Sequence, residues 1–108
     1  MKTVTRRIDF SDVDSADDFH RKMKELFGFP AFYGANFNAF VDCLTSLRVP
    51  EDGMTSIHLQ QDESLILEIH EMDRLPDDLV HDFLLSIKDV NERCGIFGEQ
   101  PSILLCLL

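Results

Sequence analysis

The stretch Ala31-Phe-Tyr-Gly-Ala-Asn-Phe-Asn-Ala-Phe-Val-Asp-Cys-Leu-Thr-Ser-Leu47 decides how this chain is read. It joins an aromatic, glycine-bearing loop to a helix. Asn36 stands where a helix needs its N-cap, with a side-chain oxygen that accepts from a free amide of the first turn. From there Phe37, Phe40, Leu44 and Leu47 recur at helical spacing and predict a buried stripe. Asn38, Asp42 and Thr45 fall on the opposite face, with Val41 at its boundary. Gly34 reads as a turn residue of positive φ. Asp42 is therefore a lone outward carboxylate beside a loop that carries Phe32 and Tyr33, an arrangement suited to binding. Tyr33 either anchors a partner or folds back over the local core, since both uses suit a large ring with a polar tip. Asn36 is the cap first, with a partner contact as a second use.

Outward from this stretch, helices alternate with strands. Val4, Ile8 and Phe10 share one parity, and Thr3, Thr5, Arg7 and Asp9 share the other, which predicts a strand with one buried face. Ser15 caps a helix that has Asp17 and Asp18 in its first turn and Phe19, Met23, Leu26 and Phe27 along its core face. Gly28 and Pro30 end it. Downstream, Pro50-Glu-Asp-Gly53 is turn chemistry, and Thr55 to Leu59 predicts a short edge strand. Ser64 to Ile69 predicts a central strand buried on both faces. Pro76 suits the first position of a further helix, with Leu79, Val80, Phe83, Leu84, Ile87 and Val90 buried, Arg93 in the last turn and Gly95 at its end. The apolar run from Ser102 to Leu108 predicts a final strand docked inside the fold. The expectation is one α/β domain over residues 1–108: a three-stranded parallel sheet flanked by helices, with an extra edge strand if residues 55–59 pair.

The chain has 108 residues, 10 of them basic and 20 acidic, for a net charge of −10. Phosphate binding needs basic surface, so nucleic acid is not expected as a direct partner. The balance is compatible with a cationic protein, which long-range attraction would draw in, and equally with acidity that only aids solubility. No apolar segment resembles a signal peptide or a membrane span, and a cytoplasmic protein is expected. Cys43, Cys94 and Cys106 lack disulfide or zinc spacing and read as small buried hydrophobes. His20 reads as a solvated helix residue. Glu68 and His70 stand at the C-terminal end of a predicted central strand, where parallel α/β folds bind ligands, but two such residues do not make a metal or acid–base site. No nucleophile elbow or phosphate loop is present. No cofactor is expected.

The segment Phe32-Tyr-Gly-Ala-Asn-Phe-Asn-Ala-Phe-Val-Asp-Cys-Leu-Thr45 resembles, without a gap, the loop and second helix of the barstar family, intracellular inhibitors of barnase-type ribonucleases. Leu65-Ile-Leu-Glu-Ile69 is similar to that family's central strand. The resemblance implies a barstar-like fold and a non-enzymatic immunity protein. Such a protein plugs the basic groove of a ribonuclease with acidic groups standing in for RNA phosphates. It implies partner contacts at Phe32, Tyr33, Gly34, Asn36, Asn38, Val41, Asp42 and Thr45, with Asp42 as the central inhibitory aspartate, and a monomer before complex formation. The chain departs from the family in carrying Asn38 where a second aspartate is usual, Val41 at a tryptophan position and Ala35 at an acidic one. Asp89 and Glu92 lie near the family's acidic contact from the last helix. The alternative is an acidic module for another basic partner, without ribonuclease inhibition.

Overall fold

A computed structural model describes residues 2–108. Three parallel strands form one sheet in the order β1-β2-β3: β1 (Lys2–Asp9), β2 (Glu63–His70) and β3 (Ile103–Leu107). Helices α1 (Ala16–Phe27) and α2 (Phe37–Leu44) connect the first two strands, and α3 (Asp77–Ile96) connects the last two. Single turns of 3-10 helix lie at Pro50–Asp52 and Met72–Arg74. Both connections advance the same way across the sheet, so right-handed crossovers place all three helices on one face. Burial agrees: Leu65, Leu67 and Ile69 of β2 are buried, whereas Ile66 and Glu68 on the other face are half-buried. The expectation of a strand buried on both faces is corrected accordingly.

The phenylalanines form the joint between layers. Phe19 of α1 packs its ring 5.4 Å from Phe83 of α3, 5.6 Å from Phe40 of α2 and 5.8 Å from Phe10 at the end of β1. All four are fully buried. Rings at these spacings favour tilted and edge-to-face contact, which adds to their burial. Truncating one such ring in a core costs about 3–5 kcal/mol, so the seat of α2 is strongly specified.

Several expected boundaries move. Thr55 to Leu59 pairs with no strand. It keeps a period-two burial pattern, with Thr55, Ile57 and Leu59 inward. Its backbone is satisfied by single bonds, Ser56 N–H to Phe27 C=O at 2.8 Å and Leu59 N–H to Leu47 C=O at 2.8 Å. Pro76 precedes α3 as its N-cap rather than occupying the first turn. Gly95 lies within α3, which runs to Ile96, and Gly98, at φ 72°, supplies the reversal beyond it. Leu84 is exposed, because α3 buries a narrower face than the wide stripe suggested. Leu107 and Leu108 are exposed, since β3 forms a sheet edge instead of lying inside the fold. Cys43 and Cys94 are buried, and Cys106 is half-buried on the uncovered face of the sheet.

Candidate functional site

Helix α2 is pinned at both ends. Upstream, Ser15 caps α1 by accepting from Asp18 N–H at 3.2 Å, and Gly28 ends it at φ 68°. Phe29 then stacks on Phe27, ring centres 5.6 Å apart. Asn36 caps α2: its Oδ1 accepts from Ala39 N–H at 2.8 Å, and its Nδ2 reaches back to Gly34 C=O at 3.4 Å. Downstream of α2 the buried Arg48 donates to Glu63 C=O at 2.8 Å and Gln100 C=O at 2.9 Å, tying the helix exit to β2 and to the segment before β3. The loop and helix are thus presented on a rigid frame, as a docking surface requires to limit the entropy lost on binding.

The loop turns its rings in opposite directions. Phe32 points outward and is 75% exposed. Tyr33 folds back: its ring centre lies 4.7 Å from that of Phe29, and its hydroxyl meets His20 Nδ1 at 2.6 Å. His20 is buried, 2% exposed, which corrects the solvated reading. Its α1 position lies between Phe19 and the side of α2, where Phe37 packs on it. Burial lowers the His20 pKa and raises that of Tyr33. Both shifts favour a Tyr33 O–H that donates to a neutral imidazole. Tyr33 therefore shapes the loop from within, and Phe32 is its free aromatic surface. The acidic neighbours of His20 suggested a wet helix face, and no local pattern revealed the tyrosine thirteen residues on that covers it.

Gly34 does not adopt positive φ; Ala35 does, at 51°. A Cβ at Gly34 would lie 3.3 Å from Asn36 Nδ2, which is tight, and 3.5 Å from Ala39 Cβ, which is ordinary contact. Val41 is buried in the core cluster and offers almost no surface. Its boundary position therefore falls inward, and the expected partner surface at Val41 is corrected to a core position. Asn38, Asp42 and Thr45 are all exposed and form the outer stripe that the spacing predicts.

Asp42 dominates that stripe. Its side chain is 70% exposed, in the last turn of α2. A carboxylate there faces the negative end of the helix dipole, an unfavourable place worth roughly 0.3–1 kcal/mol. No basic residue of α2 offsets it. The compensation comes from α3: Arg93 Nη1 donates to Asp42 Oδ1 at 3.0 Å and to Thr45 Oγ1 at 3.2 Å. The Thr45 hydroxyl in turn donates to Val41 C=O at 2.7 Å. Arg93, read from sequence as a helix-end cation, is the site residue that periodicity could not place. Asp89 and Glu92 are exposed on α3, and Glu92 pairs with Lys88 at 3.1 Å.

Glu68 and His70 do not converge on a site of their own. Glu68 accepts from Arg7 Nε at 2.8 Å across the sheet, and His70 is exposed at the strand end. Among the described residues no group of three or more His, Cys, Asp or Glu is placed to hold a metal. Among those residues, too, no helix is long and apolar enough to cross a membrane.

A search of curated proteins finds no significant match. A sequence profile described as Barstar (barnase inhibitor) matches residues 3–106, a range that runs from β1 through the loop and α2 into β3. With that match beside the three-stranded parallel sheet and its exposed Asp42, the chain belongs to the barstar family.

Proposed function

We propose that this protein inhibits a barnase-type ribonuclease by laying α2 and the Phe32 loop across its basic active-site groove. The observation that carries this reading is the exposed Asp42 carboxylate on a rigid helix, beside an outward Phe32, in a chain of net charge −10. A carboxylate so placed accepts charge-assisted, bidentate bonds from arginines that otherwise hold an RNA phosphate. The enzyme is blocked by occupancy, so the inhibitor performs no reaction and needs no cofactor. Phe32 supplies apolar contact beside the charged centre, the pairing of aromatic and ionic anchors common at tight interfaces. Asn38 lies one turn before Asp42 and adds a polar contact without charge. Thr45, one turn after, is held by Arg93. The producing cell would keep such a protein in its cytoplasm as protection against its own ribonuclease.

The test is capture from native host extract on the immobilised protein, followed by an RNA-cleavage assay of what is retained. A retained ribonuclease whose activity is titrated away at one equivalent of inhibitor supports the reading. Retention of basic proteins without ribonuclease activity would favour an acidic binding module for another partner.

A further inference from the structure

Arg93 occupies the place where docking needs a free carboxylate. It reaches Asp42 from a separate helix, and its side chain is 44% exposed. Ion pairs this open to water are held weakly. Arg93 also takes only one of the two carboxylate oxygens, Oδ1. A partner guanidinium that engages both oxygens therefore meets a resident cation and must displace it.

The displaced side chain has somewhere to go. A cavity of about 320 Å³ opens beside the pair, lined by Arg93 and Thr45 together with Arg48, Asp52 and Glu99. Asp52 is held by Ser46 at 2.9 Å, and Glu99 stands 3.6 Å from Arg48. Two acidic side chains there face one other cation, Arg48, so a released Arg93 still meets net negative charge.

We propose that Arg93 is a specificity-determining gate: it closes Asp42 in the free protein, yields to a partner guanidinium and withdraws toward the adjoining cavity. This rests on Asp42 being the docking carboxylate. The gate favours partners that present arginine, because a planar guanidinium can bridge both oxygens, whereas a lysine ammonium binds as a point charge.

The test is a double-mutant cycle read as Kd against the ribonuclease captured on the wild-type protein, at fixed ionic strength. Arg93→Gln is expected to tighten binding about two- to fivefold, the scale of an exposed ion pair. In the Asp42→Asn background the same change is expected to have no effect. Arg93→Lys, which keeps a cation near Asp42, is expected to bind within about twofold of wild type. Equal tightening in both backgrounds would mean general electrostatics and would overturn the gate. Unchanged or weaker binding by Arg93→Gln would overturn it too, the latter making Arg93 an organiser of Asp42. If Asp42→Asn alone leaves Kd unchanged, or no ribonuclease is captured, the docking reading itself fails and the gate with it.

Discussion

Replacing Asp42 with alanine should separate affinity from stability. In the free protein two small effects oppose each other. The change removes the Arg93 pair, whose members are 44% and 70% exposed, an interaction worth about 0–1 kcal/mol in this setting. It also removes a carboxylate from the negative end of α2, relieving about 0.3–1 kcal/mol. The folding free energy should therefore move by less than about 1 kcal/mol, from the difference of these terms. Binding loses far more. Truncating one partner of a buried charge pair at an interface, barnase–barstar among the measured cases, costs about 2–5 kcal/mol, largely by stranding the other charge. That is a rise in Kd of about 30- to several-thousandfold. Urea unfolding paired with calorimetric titration against the captured ribonuclease reads both quantities. An affinity loss below threefold would refute the assignment of Asp42 as the docking centre. A stability loss above about 2 kcal/mol would show that the helix depends on Asp42 more than its exposure allows.

The two loop rings should part company. Phe32→Ala should speed dissociation and leave stability unchanged, whereas Tyr33→Phe should cost about 1–3 kcal/mol of stability by orphaning His20, with little change in dissociation rate; surface plasmon resonance and urea melts compare them. Burial depresses the His20 pKa, so the unfolded chain binds the extra proton. The resulting stability is full above about pH 6.5, the ordinary histidine value, and is lost as pH falls from there through the folded value. His20→Gln should flatten that part of the pH–stability curve. Gly28→Ala should destabilise by about 2–4 kcal/mol, combining left-handed backbone strain with overpacking, because its Cβ would fall 2.2 Å from Ser56 Oγ; a lower urea midpoint at constant m-value checks it. Association with the ribonuclease should slow steeply with added salt, while dissociation changes little; stopped-flow mixing at several ionic strengths measures both.

What could be read from sequence divides along a physical line. Caps, periodic apolar stripes and breaker residues are local, and they located the three helices, the three strands and the outward position of Asp42. Long-range pairing is not local. Whether Thr55 to Leu59 joined the sheet depended on an edge that the chain itself could not announce. His20 and Tyr33 are thirteen residues apart, and Arg93 reaches Asp42 across fifty-one; no spacing rule connects either pair. Val41 was misplaced for a related reason. A helix boundary residue goes inward or outward according to what packs beside it, and the helix's own spacing does not say which. Gly34 shows a third kind of miss: the positive φ of the loop falls on the next residue, Ala35, and not on the glycine.

The one-sided arrangement of helices gives the molecule a back. Strand residues Thr5, Ile66, Leu104 and Cys106 face away from the layer that carries Asp42 and Phe32. Chemistry performed there reaches the proposed ribonuclease contact only through the core. A probe attached at Cys106, or a fusion grafted beyond the exposed Leu108, would leave the outer face of α2 toward solvent. Selection acting on that rear surface, for solubility or for some second association, would leave the face that carries Asp42 and Phe32 largely untouched.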